Sequence, residues 1–188
     1  MIRSFSNLLS PPVIGMIVPL IFAVFSPIGW GSMNMDTSII TGLIFIGILP
    51  VLPWIIEVKK KKVDFDVSKR KKRTVLYTCA VISYITASVI FWLTGNKIML
   101  AISLSYAFVT ILIEIINLKW KISAHAAGIA GPTTAITYVF GTFFLPLYLL
   151  TIFVFWLRLK LKAHTPAQLF AGAGLAVLTT YLVYATIW

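Results

Sequence analysis

The stretch TVLYTCAVISYITASVIFWL, residues 74–93, decides the fold class because it runs for 20 residues without a charged side chain. A helix needs about 20 apolar residues to cross the hydrocarbon core of a bilayer. A second, predominantly apolar stretch, residues 98–116, follows a short segment that contains Gly95 and Lys97. A helix bonds its own backbone polar groups, which lipid cannot do. The two stretches therefore predict a pair of transmembrane helices.

The composition extends this prediction to the whole chain. Hydrophobic residues make up 60% of the sequence and charged residues 11%, which leaves too few polar side chains to cover a soluble globule of 188 residues. Two of the apolar stretches, residues 126–140 and 143–157, are short, and Gly141 is expected to form a tight turn between them. We predict an all-α integral membrane protein, a bundle of six to seven transmembrane helices in a single domain, 1–188. Seven stretches approach the length of a membrane helix: 12–30, 38–56, 74–93, 98–116, 126–140, 143–157 and 167–187.

The number of spans depends on the first stretch, residues 12–30. It contains Pro19, Pro27 and Gly29, and prolines within or at the ends of membrane spans mark kinks or first turns. Seven spans result if this stretch crosses the membrane, and six if it is re-entrant or interfacial. Both alternatives leave the three basic loops that follow on one side.

The basic residues predict which side that is. With seven spans, fifteen of the 16 lysines and arginines lie on one side, in the N-terminus and in loops 58–73, 117–125 and 158–166, and only Lys97 lies opposite. The positive-inside rule therefore places these loops in the cytoplasm, at the cell membrane. The net charge of +11 indicates anionic lipid headgroups or phosphate esters as partners and no nucleic acid, because the cations are confined to loops and helix ends.

The two histidines of the chain lie in two of these loops. His125 ends the segment KWKISAH, residues 119–125, and His164 ends the segment RLKLKAH, residues 158–164. Small residues follow each segment, at positions 126–131 and 171–174, and they predict close helix packing that brings the two histidines together.

A Ser-x-His followed by an Arg six residues before a second His resembles the last two signature motifs of the type 2 phosphatidic acid phosphatase family of membrane lipid phosphatases. The resemblance covers about residues 114–176. It implies hydrolysis of a lipid phosphate or polyprenyl diphosphate through a phosphohistidine intermediate, with no metal and no cofactor. His164 would then be the nucleophile, and His125 would protonate the leaving alkoxide. Arg158 and Lys121 would hold the phosphoryl oxygens, and Ser123 would add a neutral donor.

The chain departs from this family at two places. The first motif, Lys, six residues, Arg-Pro, has no match, and Lys119 or Lys121 is its nearest substitute. Gln168 stands where the family has the Asp that orients the nucleophilic histidine, and an amide can accept the same hydrogen bond without supplying charge. Thr165 followed by Pro166 predicts a helix cap, with His164 just ahead of the helix and Gln168 inside it.

Other interpretations remain open. A non-catalytic membrane protein could bind anionic lipid or a partner through the basic loop 59–73. A metal-dependent transferase would require a magnesium site at Asp64 and Asp66. Glu114 could orient Lys121 from the same helical face, or form a hydrogen bond to another helix. Cys79 is the one cysteine, so a disulfide framework is excluded.

Overall fold

The computed structural model describes residues 2–65 and 67–188. Helices are the only regular secondary structure among these residues, which confirms the predicted all-α fold class. A π-helix, Leu43–Ile48, continues α3, and short 3₁₀ segments, Arg70–Lys72 and Thr142–Leu147, lead into α5 and α8. The α-helices are α1 Ile2–Leu8, α2 Pro11–Val24, α3 Met35–Gly42, α4 Leu52–Lys59, α5 Arg73–Leu93, α6 Lys97–Asn117, α7 Ala124–Phe140, α8 Tyr148–Lys160 and α9 Pro166–Ile187.

Between four and six segments of the described chain are long and apolar enough to cross a membrane. The count is six if each of two bent pairs, α1 with α2 at 41° and α3 with α4 at 42°, forms one span. The predicted range of six to seven therefore overlaps this count only at six. The predicted sixth stretch proves longer than expected, because the 3₁₀ turn joins α8 to give 19 residues, whereas α7 is as short as predicted, with 17. The four unbroken segments are Arg70–Leu93, Lys97–Asn117, Thr142–Lys160 and Pro166–Ile187.

Prolines and glycines lie at the breaks, as the sequence predicts. Pro50 precedes α4, and Pro53 lies in its first turn, where a missing backbone N–H costs nothing. Gly141 has φ +95° and ends α7, so a residue without a Cβ is needed there. The first predicted stretch was too long, because α2 ends at Val24 and a turn that includes Gly29 at φ +74° follows.

Close packing of α7 against α9 positions the two histidine segments. Gly131 faces Thr180, and a Cβ at Gly172 would clash with the carbonyl oxygen of Ser123. The prediction that small residues allow these two helices to approach closely is confirmed. The same contact brings the start of α9 against the start of α7.

The predicted polar loops meet at one end of the bundle. The Arg70 guanidinium donates to the carbonyl oxygen of Asn117, and Lys121 Nζ donates to that of Ala163 at 3.1 Å. At the opposite end, the Ser32 N–H donates to the carbonyl oxygen of Thr94 at 2.8 Å. The loops thus share one end of the molecule, as predicted.

Candidate functional site

His164 is held at the start of α9 by a capping box. Thr165 is the N-cap residue and Pro166 the first helical residue. The Gln168 N–H donates to Thr165 Oγ1 at 3.4 Å, and the Thr165 N–H donates to Gln168 Oε1 at 3.1 Å. This reciprocal pair satisfies backbone donors that the first turn of a helix leaves open. The predicted helix cap, with His164 ahead of the helix and Gln168 inside it, is confirmed.

Gln168 also determines which ring nitrogen of His164 carries hydrogen. Gln168 Oε1 lies 3.1 Å from His164 Nδ1. The atom facing the ring must be the amide oxygen, because the same atom accepts from the Thr165 N–H, which can only donate. Nδ1 therefore carries the proton, and Nε2 keeps its lone pair. This is the tautomer in which a histidine can act as a nucleophile through Nε2.

The surroundings of His164 keep the ring neutral. Burial and, next, the Arg158 guanidinium are the largest causes that lower its pKa to about 4. Arg73 and Lys121 lower this pKa as well, whereas the hydrogen bond that His164 donates to Gln168 raises it. The imidazole is therefore uncharged at neutral pH, in part because cations surround it.

His125 lies in the first turn of α7, behind the cap formed by Ser123. Ser123 Oγ accepts from the Ala126 N–H at 3.3 Å, and the Ser123 N–H donates to the carbonyl oxygen of Gln168 at 3.2 Å. Ser123 is completely buried and does not line the cavity described next. Ser123 thus caps α7 and links it to α9. It does not lie in the cavity, where a phosphate ligand was expected.

Both histidines line one cavity of about 200 Å³. Arg73 and Tyr77 of α5 line the same cavity, and most of its remaining wall is apolar. The cavity therefore has a cationic and imidazole-bearing polar end that continues into hydrocarbon-like surroundings between α5, α6 and α7.

The predicted cations occupy different positions around this polar end. Lys121 is half-buried and donates to the carbonyl oxygen of Ala163, the residue before His164. Arg158 is 2% exposed, and its Nη1 donates to Ser6 Oγ of α1 at 3.1 Å. Neither lines the cavity, but both act on the pKa of His164. Lys119 is exposed, whereas Lys121 is the member of the predicted pair that contacts the residue before His164.

Arg73 is the site residue that the sequence analysis missed. It is the first residue of α5, is 5% exposed, and donates from Nε to the carbonyl oxygen of Val67 at 2.8 Å. Nine basic residues stand between positions 59 and 73, and composition does not distinguish the one that folds inward. The available signal was its position at the junction of the basic loop with the apolar stretch that follows.

Glu114 does not orient Lys121. Its Oε1 accepts from Thr78 Oγ1 of α5 at 2.7 Å, which is the interhelical hydrogen bond that the sequence left as the alternative. Asn117 Nδ2 donates to the carbonyl oxygen of Arg70 at 3.3 Å, so the end of the basic loop is docked on the end of α6. This docking places Arg73 at the mouth of the cavity.

Metal ligands are sparse in the structure. No group of three or more His, Cys, Asp or Glu that could hold a metal ion occurs within residues 2–65 and 67–188. The Asp64 carboxylate accepts from the N–H and the hydroxyl of Ser68 at 2.9 and 2.7 Å. Asp66, the other member of the considered magnesium pair, lies outside the described residues.

Comparisons with known proteins give the chain no relative. It matches no model of a protein family, no curated protein and no solved structure.

Proposed function

We propose that the protein is a membrane lipid phosphatase that hydrolyses a lipid phosphate or polyprenyl diphosphate through a phosphohistidine on His164. The observation that carries this proposal is the shared cavity: it joins both histidines and a buried arginine at its polar end to an apolar interior. The resemblance of the two histidine segments to the phosphatase motifs points to the same chemistry.

In the proposed first step, His164 Nε2 attacks phosphorus while the bond from phosphorus to the ester oxygen, or to the bridging oxygen of a diphosphate, breaks. Arg73 binds the phosphoryl oxygens, and Lys121 supplies positive charge beside His164. His125 donates a proton to the leaving alkoxide, whereas the leaving phosphate of a diphosphate departs with less need of this proton. In the second step, His125 accepts a proton from water, the water oxygen attacks phosphorus, and the phosphorus–nitrogen bond breaks. Inorganic phosphate leaves, and Nε2 recovers its lone pair.

Gln168 has a positioning role in this mechanism. Its amide oxygen lies 3.1 Å from Nδ1 and accepts a hydrogen bond from the proton there, which keeps Nε2 available for attack. A neutral amide does not offset the positive charge that develops on the ring during attack, whereas a carboxylate would. The chemical step should therefore be slower than it would be with Asp at this position.

The proposed topology has seven crossings, in which each bent helix pair and α7 crosses once. The polar end of the bundle then faces the cytoplasm, since fifteen of 16 basic residues lie there. The substrate would present its headgroup at the cytoplasmic interface of the cell membrane, with membrane lipids around the bundle.

Phosphate release from purified protein tests this function. The substrates are a panel of lipid phosphates and polyprenyl diphosphates, each with and without excess EDTA. Turnover should persist in EDTA, because neither histidine segment contains a carboxylate. His164→Ala should abolish turnover, whereas Lys119→Ala, an exposed cation outside the cavity, should retain it. Wild-type rates in His164→Ala would reject the mechanism, and loss in EDTA restored by magnesium would transfer the chemistry to a metal site.

A second candidate function is anionic lipid binding without catalysis. It is favoured by the seven lysines of loop 59–73, all of which are exposed. Absence of phosphate release from every substrate, together with salt-sensitive binding to anionic vesicles, would support this alternative.

A further inference from the structure

The cavity extends well beyond the space that a phosphate group needs. Along α5 its lining runs from Arg73 to Tyr84, which lie eleven positions apart and therefore about 16 Å apart at the rise of an α-helix. Along α6 it runs from Ile113 to Ile102, which are also eleven positions and about 16 Å apart. The cavity is therefore a slot that follows the helix axes.

The wall of this slot suits a hydrocarbon chain. Beyond Arg73 and the histidines, the lining is dominated by aliphatic, aromatic and proline side chains, such as Leu76, Ala80 and Val109. An alkyl or prenyl chain buried there would keep apolar surface away from polar groups.

Two tyrosines lie deep in the slot, with Ile102 one helical turn beyond Tyr106 on α6. The rings of Tyr84 and Tyr106 lie 5.3 Å apart between centroids, and both line the cavity. The Tyr106 hydroxyl is buried and makes no hydrogen bond with any part of the chain that the structure describes. The two rings, called the floor below, therefore lie where the end of a chain with its phosphate at Arg73 would reach.

We infer that this slot holds one hydrocarbon chain of the phosphorylated substrate and that Tyr84 and Tyr106 limit its length. This inference rests on the proposed function for the identity of the headgroup. An extended chain advances about 1.2 Å per bond, so a slot of about 16 Å takes about 13 carbons. The substrate chain would then lie in the slot and not in the lipid outside the helices. Phosphates with one chain should therefore bind better than phosphates with two.

Binding of non-hydrolysable phosphonates measures chain length separately from catalysis. The ligands are saturated alkyl phosphonates from hexyl to octadecyl, with a parallel prenyl series to distinguish the two chain types. The protein is held in amphipol, because detergent would compete for the slot. Affinity should rise about fourfold per carbon while each added carbon is buried, and it should stop rising near 13 carbons.

Two substitutions should move this limit in opposite directions. Tyr106→Ala opens the floor and should extend the limit by about four carbons. Ala80→Leu fills the slot between Tyr77 and Tyr84 and should shorten it by a similar amount. Tyr106→Phe removes the hydroxyl but keeps the ring, so the limit should stay. Phe108→Ala and Val89→Leu, at exposed positions on α6 and α5, are matched controls that should not move it.

The outcomes separate this inference from the proposed function. A limit near 13 carbons that shifts in both variants supports the slot, even if no substrate releases phosphate. Phosphate release without any length limit, or with a limit that neither variant moves, would retain the phosphatase and overturn the slot. If Tyr106→Ala does not fold, Ala80→Leu decides between these results.

Discussion

Arginines and lysines take different positions in loop 59–73 and in the segment that ends at His164, whereas Arg3 of α1 is exposed. In loop 59–73, Arg70 and Arg73 turn inward and donate to backbone carbonyl oxygens, while the seven lysines stay exposed. The segment that ends at His164 repeats the division, since Arg158 is buried and Lys160 and Lys162 are exposed.

The difference follows from the two cationic groups. A guanidinium is weakly hydrated and offers several donors in a rigid plane, so it can be buried against carbonyl or hydroxyl oxygens. An ammonium keeps its water more strongly, and its flexible stem lets the charge reach solvent. Lys121 is the instructive exception, because it is half-buried with its Nζ on the carbonyl oxygen of Ala163. The inward cations Arg73, Arg158 and Lys121 therefore act on the pKa of His164, whereas the lysines of loop 59–73 are exposed.

Among the cations, removal of an inward arginine should lower kcat/KM the most. Arg73→Ala should lower kcat/KM by about 10² to 10³, because it removes a positioned charge from the developing transition state. Lys71→Ala, an exposed neighbour in the same loop, should change it by less than about twofold. Phosphate-release kinetics on both variants check this, with thermal unfolding to establish that each is folded. Equal losses in the two variants would remove the distinction between inward and outward cations.

Gln168, the uncharged hydrogen-bond partner of His164, can be tested by substitution. Gln168→Leu removes the acceptor of the Nδ1 proton and should lower kcat by about 10². Gln168→Asp supplies a carboxylate and should preserve or raise kcat. Single-turnover measurements separate this chemical step from substrate binding. A Leu variant with undiminished kcat would show that ring orientation does not depend on position 168.

The pH dependence should distinguish Arg158 from Lys160. Below its pKa of about 4, His164 becomes an imidazolium without a lone pair on Nε2, so kcat/KM should fall as the pH drops through that value. Arg158→Met removes a cation that lowers this pKa, so the acid limb of the profile should move to higher pH. Lys160→Met, on the exposed side, should leave the limb in place. An unmoved limb in Arg158→Met would mean that the buried guanidinium does not act on the nucleophile.

The outward lysines predict which side of the membrane each loop faces. In a Cys79→Ala background, a cysteine introduced at position 60 should resist a membrane-impermeant thiol reagent in intact cells and react after permeabilisation. A cysteine at position 188 should show the opposite pattern, because seven crossings place it outside. Labelling of position 60 in intact cells would invert the proposed topology.

The parts of the site that sequence predicted are local. The cap at Thr165, its contact with Gln168 and the turn at Gly141 each depend on residues within a few positions, where helix and turn preferences act directly. Close packing of α7 on α9 was also predictable, because small residues occur in both stretches within a few turns of a histidine.

The remaining parts depend on contacts between distant segments. The junction with the apolar stretch is the one local signal that distinguishes Arg73 from eight other cations, and its burial depends on the docking of Arg70 on Asn117 and on its own bond to Val67. Glu114 found its partner on a neighbouring helix, which helical periodicity alone does not identify. The choice of Lys121 over Lys119 likewise required the position of Ala163 in space.

The bond between Arg158 and Ser6 joins positions that are 152 residues apart. During synthesis, α1 is made before α8 and must wait until the intervening helices have been made before its partner arrives. The hairpin of α5 and α6 can form long before that moment, because its contacts are between neighbours in the chain. The electrostatic surroundings of His164 are therefore completed only after α5, α6 and α7, which enclose the cavity, have been made.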